Sequence, residues 1–459
     1  MDSKKLKYFF NPRTIAVIGA SHTPGKVGYA IIENLKASFK GKIYPVNPKG
    51  GEILGLKVYR SVLEIEDSVD LAIIAVKAQI VENVLEECGK KGVKAVIIIS
   101  AGFKEVGNVE GEERIKEIIE KYGMRALGPN CIGIYDTFSG VDTLFSDVER
   151  VKKPGKGNIG FISQSGALGL ALIDKYAEMN VGISKFVSIG NKVDVDETEL
   201  MDFFGKDENV RVISLYIESV ENGKRFMKIA KNVIREKPIV CLKGGKTEKG
   251  KAAVSSHTGA MAGNYEVYSA AFRQSGIIEA KDLEELMDFT KVLASQPPMK
   301  GKRIAIVTNG GGFGIIAADQ AVLEGLELAS FSENTIEKLR GAMPGHAVIG
   351  NPLDLTGDAT SQRYAIALKA VMEDENVDSV CIICLLQLAT VDRGIVNVLE
   401  SCKKYGKPFV VCAGGSAYST FIAKELQKNG IPVYLTPHQA IKALRVLYEY
   451  ERVLRKFKR

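Results

Sequence analysis

The chain has 459 residues, 46% of them hydrophobic and 25% charged, with a formal net charge of +7. That length exceeds one ordinary core and predicts about three domains, and the composition excludes a disordered or fibrous chain. Met1-Asp2-Ser3-Lys4-Lys5-Leu6-Lys7 lacks the apolar core of a signal peptide, and no apolar run approaches the ~20 residues that span a bilayer, so a cytoplasmic protein without membrane association is expected.

In chain order, the first strand-like run is Thr14-Ile15-Ala16-Val17-Ile18, followed by the turn Gly19-Ala20-Ser21-His22-Thr23-Pro24-Gly25-Lys26-Val27-Gly28 and a helix-like stretch from Tyr29. Ser21 stands where a dinucleotide fingerprint has its second glycine. The next strand, Lys42-Ile43-Tyr44-Pro45-Val46, ends in Asn47-Pro48-Lys49 rather than in the acid that grips a nicotinamide ribose. An amide and a lysine fit a phosphorylated ribose, as in NADP or coenzyme A, with Lys26 and Lys49 as the cations.

Two further units repeat this strand–turn–helix grammar, Ile159-Gly160-Phe161-Ile162-Ser163-Gln164-Ser165-Gly166 and Ile304-Ala305-Ile306-Val307-Thr308-Asn309-Gly310-Gly311. The expected domains are 1–150, 151–297 and 298–459, with linkers at 152–158 and 296–301. Strands alternating with helices predict α/β domains on parallel sheets. The second and third units read as an internal duplication. Ser163-Gln164-Ser165-Gly166 answers Thr308-Asn309-Gly310-Gly311, and Lys237-Pro238-Ile239-Val240-Cys241 answers Lys407-Pro408-Phe409-Val410-Val411. Glycine-rich turns at helix starts aim backbone N–H groups at one point and form anion sites, which makes both turns candidate phosphate cradles.

One copy carries an insertion that the other lacks, Ser255-Ser256-His257-Thr258-Gly259-Ala260, read as an open loop. Small neighbours leave its imidazole accessible as a nucleophile. Gly245-Lys246-Thr247 is not a phosphate-binding P-loop, because Val240 occupies the position of the required first glycine. Cys381-Ile382-Ile383-Cys384 lies in a strand-like run that points the two thiols to opposite faces, so all seven cysteines read as reduced and no metal site is expected. The terminal basic run from Arg452 reads as a helix end, and no nucleic-acid partner is expected.

With these residues in hand, the chain resembles the α subunit of ADP-forming acetyl-CoA synthetase, in the acyl-CoA synthetase (nucleoside-diphosphate-forming) superfamily that includes succinyl-CoA synthetase. The marks are Val17-Ile18-Gly19-Ala20-Ser21, Val46-Asn47-Pro48-Lys49, Ser100-Ala101-Gly102-Phe103, Gly128-Pro129-Asn130-Cys131, Ser163-Gln164-Ser165-Gly166-Ala167, Ser188-Ile189-Gly190-Asn191, Ser256-His257-Thr258-Gly259 and Asn309-Gly310-Gly311-Gly312. The resemblance implies a Rossmann-like CoA-binding domain followed by two flavodoxin-like ligase domains. It implies a phosphohistidine at His257, oriented by Glu218, and a CoA site of Gly19, Ser21, Lys26, Asn47, Lys49, Ser100, Ala101, Gly102 and Asn130. Phosphate is expected between Ser165, Gly166 and Ala167 of the second domain and Gly310, Gly311 and Gly312 of the third. The implied activity is that of an acid–thiol ligase, converting acetyl-CoA or a similar acyl-CoA, ADP and phosphate to the acid, CoA and ATP. ADP or ATP and Mg are then held mainly by an ATP-grasp β subunit, in an α2β2 heterotetramer. A CoA ligase or lyase for another acid, and a CoA-binding regulatory protein without turnover, are compatible with the same residues.

Overall fold

The computed structural model describes residues 3–146, 150–258 and 263–457, with residues 3 and 255–258 described by backbone alone. Its strands are β1 Thr14–Ile18, β2 Lys42–Val46, β3 Glu52–Ile53, β4 Leu56–Lys57, β5 Leu71–Ile74, β6 Ala95–Ile98, β7 Arg125–Leu127, β8 Ile134–Asp136, β9 Lys156–Ser163 and β10 Ile183–Ser188. They continue as β11 Val212–Ile217, β12 Ile239–Lys243, β13 Ile278–Ala280, β14 Arg303–Thr308, β15 Glu327–Leu328, β16 Leu353–Asp354, β17 Ser379–Ile383, β18 Phe409–Cys412 and β19 Val433–Tyr434.

Three large sheets result, ordered β2-β1-β5-β6-β7, β13-β12-β11-β9-β10-β8 and β15-β14-β17-β18-β19, with β16 beside β14. Apart from β8 at the edge of the second sheet, the second strand of each sheet flanks the first, and the later ones run out from the other side. This is the doubly wound flavodoxin-like order, which creates a switch point beside the first strand. The central strands are parallel and buried along their whole length, which is why β1, β5, β6 and β12 read as unbroken apolar runs rather than alternating ones.

The chain forms two compact units, one of residues 1–178 and 182–279, the other of 179–181 and 280–459. The first unit thus contains two of the sheets. β8, which precedes residue 150, pairs antiparallel with β10 and so extends the second sheet. Arg125 fastens the two sheets of this unit. Its guanidinium, 2% exposed, forks onto Asp194 (2.8 and 3.1 Å) and onto the partly buried Glu199 (2.8 and 2.6 Å). Gly190 (φ +57°) leaves room for the carbonyl of Pro129, which accepts the N–H of Asn191 at 2.9 Å. In the second unit the helix Leu283–Ser295, ahead of the expected linker, packs against the C-terminal helix Pro437–Phe457. The basic C-terminal run is the end of that helix.

All seven cysteines are free and buried, and burial pushes the thiols of Cys381 and Cys384 up, away from thiolate chemistry. Among the described residues no cluster of side chains could hold a metal ion, and no helix is long and apolar enough to cross a membrane.

Candidate active site

At the switch point of the first sheet, Gly19 takes φ +93°, where a Cβ would run into the carbonyl oxygen of Ala75. Glycine is required there, and the N–H groups of Gly19 and Ala20 donate to Val46 at 3.1 and 3.2 Å. Asn47 closes the turn from β2: its amide nitrogen donates to Ala20 O at 2.7 Å and its oxygen accepts Lys49 N at 2.9 Å. Ser21 Oγ accepts Thr23 N at 3.1 Å. Lys26 and Lys49 are both exposed, Lys26 just before the helix Val27–Ser38. His22 reaches Gly50 O at 3.1 Å and ties the two loops together. The structure therefore brings Gly19, Ser21 and Asn47 to one crevice edge, with the two lysines at its rim.

The remaining predicted CoA residues follow β6 and β7. The hydroxyl of Ser100 is engaged within the fold, donating to Val76 O at 2.5 Å. Ala101 is exposed beside it, and Gly102 has φ +112°. Gly102 N donates to Glu105 Oε1 at 2.6 Å. Asn130 (φ +59°) donates to Asn191 Oδ1 at 3.3 Å, and Asn191 in turn donates to Glu105 at 2.7 Å and Glu112 at 2.8 Å. Burial drives the Glu105 carboxyl up, but hydrogen bonds from Gly102, Asn191 and Phe103 outweigh it and hold it below the ordinary carboxylate range. Burial keeps the Glu112 carboxyl above that range, against the bonds from Asn191 and Lys104. Glu105, absent from the sequence-based site, is thus the anchor of the Ser100-Ala101-Gly102 loop.

In the second sheet Ser165 precedes the helix Gly166–Glu178, and its hydroxyl accepts Leu168 N at 3.4 Å. Ser163 Oγ braces the same turn by donating to Ser165 O at 2.6 Å. Gly166 and Ala167 lie in the first turn of that helix, where N–H groups have no intrahelical acceptor. In the third sheet Thr308 Oγ1 donates to Gly310 O at 3.0 Å, and Gly310 precedes the helix Gly311–Leu323, whose first turn contains Gly312. A Cβ at Gly311 would stand 2.8 Å from Asp354 Oδ2, so a carboxylate already faces that helix start.

Glu218 follows β11 at the carboxyl edge of the second sheet and is buried, 5% exposed. Gln164 Oε1 accepts the backbone N–H groups of Glu218 at 2.7 Å and Ser219 at 3.1 Å. Tyr216 donates to Glu218 Oε1 at 3.3 Å. Next to it runs the turn after β12. A Cβ on Gly244 would sit 2.7 Å from the Tyr216 hydroxyl and 3.5 Å from Glu218 Cγ, so only a bare backbone passes there. Gly245 (φ +75°) then turns the chain, and Thr247 caps the helix Glu248–Thr258 by accepting Gly250 N at 3.1 Å.

That helix corrects the expected open loop. The backbone of His257 lies in its last turn, and the Thr247 cap with Ala252 and Ala253 explains the helical start and body. Ala260 lies outside the described residues, as does Gly259. The helix packs against the short turn Lys104–Val106, close behind Gly102. One turn thus carries Glu218, a neighbouring turn launches the His257 helix, and that helix abuts the predicted CoA loop.

Two buried lysines flank Glu218 and were not anticipated. Lys192 (φ +63°) donates to Ser219 O at 2.9 Å and pairs with Glu197 at 3.1 Å. Lys243, at 1% exposure, ends β12. An ionisable residue closing the apolar run Ile239-Val240-Cys241-Leu242 was the available signal.

Three family models match the chain in order: a CoA binding domain over residues 13–137, a succinyl-CoA ligase like flavodoxin domain over 156–293 and a ligase-CoA domain over 304–457. The chain is 47% identical over 451 residues to an ADP-forming acetate–CoA ligase of Methanocaldococcus jannaschii, covering 97% of this chain and 63% of that protein. It is 43% identical over 454 residues to the alpha subunit of ADP-forming acetate–CoA ligase II of Pyrococcus furiosus, covering 97% of each. A solved structure, the dinucleotide-forming acetyl-coenzyme A synthetase 1 of Ca. Korarchaeum cryptofilum in complex with phosphate and ADP, superposes with a TM-score of 0.93 at 39% identity, covering 99% of this chain and 98% of that one. The chain therefore spans less than two thirds of the M. jannaschii protein and nearly all of the P. furiosus subunit. With sheets, turns and relatives in agreement, this chain belongs to the ADP-forming acetate–CoA ligase family, whose alpha subunits it matches along almost its whole length.

Proposed function

We propose that the chain is the α subunit of an ADP-forming acyl-CoA synthetase, taking acetyl-CoA or a similar acyl-CoA, phosphate and ADP to the free acid, CoA and ATP. The observation that carries the reading is the buried Glu218 beside the Gly244-Gly245 turn that launches the His257 helix. In the first step a phosphate oxygen attacks the thioester carbon, the C–S bond breaks, and CoA leaves as its thiolate. A ring nitrogen of His257 then attacks phosphorus, the bond to the acyl oxygen breaks, and the carboxylate departs. A terminal oxygen of ADP finally takes the phosphoryl group, and the N–P bond breaks to restore the imidazole.

Glu218 fixes the tautomer of His257, leaving the attacking nitrogen with its lone pair. The helix starts at Gly166-Ala167 and at Gly310-Gly311-Gly312 each offer backbone N–H groups to phosphate oxygens, and such donors are usually the largest catalytic term. Gly19, Ser21, Lys26, Asn47, Lys49, Ser100, Ala101, Gly102 and Asn130 form the CoA site. ADP and Mg are bound mainly by an ATP-grasp β subunit, which the longer fused relatives would carry on the same chain, and the assembly is an α2β2 heterotetramer. Phosphoryl transfer asks mainly positioning of the protein, so two oriented carriers suffice.

The test is to incubate the chain with acetyl-CoA and radiolabelled phosphate and to map acid-labile label by peptide. The expected result is label on the His257 peptide, lost in His257→Ala while CoA still binds. Absence of label with acetyl-CoA, other acyl-CoAs and acetyl phosphate, in a chain that binds CoA, would overturn the reading in favour of a CoA-binding regulator.

A further inference from the structure

We infer that Lys243 is a positioning residue for Glu218, its buried ammonium holding the turn at the carboxyl edge of the second sheet so that Glu218 stays fixed while His257 receives a phosphoryl group. The inference rests on the phosphohistidine reading above.

Three contacts tie Lys243 to the segment that carries Glu218. In the parallel pairing of β11 and β12 it stands opposite Ile217, the residue before Glu218. Its ammonium donates to the carbonyl of Gly244, and a Cβ on Gly244 would lie 3.5 Å from Glu218 Cγ. The ammonium also lies 4.7 Å from the centre of the Tyr268 ring, and the Tyr268 hydroxyl accepts the N–H of Val220 at 3.0 Å. The lysine therefore grips both sides of the turn.

Among the described residues its charge lacks the counter-ion that Lys192, Lys185 and Lys291 have. Lys192 has Glu197 at 3.1 Å, Lys185 has Asp207 at 2.8 Å and Lys291 has Asp288 at 3.1 Å. Among the described residues Lys243 has the Gly244 carbonyl and the Tyr268 ring, and no carboxylate in an ion pair. A buried ammonium held this way draws any anion that can approach, and the Glu218 carboxyl lies within its field. Burial holds the Lys243 ammonium below the ordinary lysine range, and Lys246 and Lys251, from the following turn and helix, push the same way. Cys241 on its own strand and Glu218 from β11 oppose this.

The internal duplication supplies an independent control. In the third sheet Asn309 Oδ1 accepts Leu385 N at 2.8 Å, as Gln164 does for Glu218, so Leu385 occupies the place of the acid. Ile383 stands opposite Cys412, the last residue of β18, and Ala413, which follows it, holds the place of Lys243. Gly414-Gly415 follows Ala413 just as Gly244-Gly245 follows Lys243. The copy without the acid is also the copy without the lysine. A lysine needed only to finish a strand would have no reason to vanish together with the carboxylate.

The experiment measures phosphorylation of His257 by labelled acetyl phosphate in the full chain, for wild type, Lys243→Met, Lys243→Gln, Lys243→Arg, Glu218→Gln and the double variant Lys243→Met/Glu218→Gln, with CoA titration as the check on folding. In Lys243→Met labelling should fall about tenfold while CoA affinity stays within about twofold of wild type. Lys243→Arg should keep the wild-type rate, and Lys243→Met should add no further loss in the Glu218→Gln background. Wild-type labelling in a Lys243→Met chain that still binds CoA would overturn the inference. So would failure of both Lys243→Met and Lys243→Gln to fold, which would mark a structural lysine. Absence of label in the wild type would instead refute the phosphohistidine reading itself.

Discussion

Gln164 holds the backbone of Glu218: its side-chain oxygen accepts the Glu218 N–H at 2.7 Å and the next N–H, of Ser219, at 3.1 Å. Its amide nitrogen donates to Ser219 Oγ at 3.2 Å, and Lys192 holds Ser219 from the other side. The acid proposed to orient His257 thus stands on a turn whose donors are satisfied by a side chain from β9, in a buried place where water does not compete.

Replacing Gln164 with Leu should leave both N–H groups buried without that acceptor. A loss of about 1–3 kcal/mol in unfolding free energy is expected, together with a drop in His257 labelling at pH 7 larger than any loss of CoA binding. Chemical denaturation and peptide-mapped labelling read the two effects separately. Equal losses of both activities would contradict the clamp.

Arg125→Met should be the most destabilising single change in the first unit, at about 3–5 kcal/mol, because Asp194 and Glu199 would keep buried charges without their guanidinium. Thermal unfolding of the variant should show the loss. The triple replacement with Asp194→Asn and Glu199→Gln should recover part of it.

Gly19→Ala introduces a Cβ into the carbonyl of Ala75 at φ +93°. The turn between β1 and the next helix must shift, so CoA affinity should fall at least tenfold, about 1.4 kcal/mol. Labelling by acetyl phosphate, which needs no CoA, should change far less. Calorimetric titration with CoA checks the first outcome.

The Glu112 carboxyl lies above its ordinary value of 4.5 because it is buried. A raised carboxylate favours the protonated form in the folded state, so the folded chain binds more protons than the unfolded one as pH rises from 4.5 through the folded value, and stability falls across that window. Glu112→Gln keeps an acceptor for Asn191 and removes the charge. It should melt higher than wild type at pH 7, and the gap should close below pH 4.5, where both states are protonated. A gap that stays constant with pH would contradict the assignment.

Much of the fold and the site was legible in sequence because its signals are local. Unbroken apolar runs mark strands buried on both faces, and glycine-rich turns after β1, β9 and β14 fall where close approach or a helix start demands them. Glu218 was named through the family resemblance, at the end of an apolar strand, and the insertion around His257 stood out as a difference between two copies. The helical backbone there was missed because the cap at Thr247 sits inside a segment that reads as a false phosphate loop.

The tertiary structure decided what depends on residues far apart in the chain. Arg125 meets Asp194 and Glu199 across 69 and 74 positions, and Gln164 meets Glu218 across 54. β8 leaves the first sheet to edge the second, and Lys243 becomes a buried charge only when the helix bearing Tyr268 covers it. The sequence by itself determined the strands, the turns and the chemistry of single positions, because those follow from backbone conformation and local hydrophobic pattern. Which charges share a buried volume was left to the packing of the sheets, because desolvation and Coulomb energy depend on distance in space rather than along the chain.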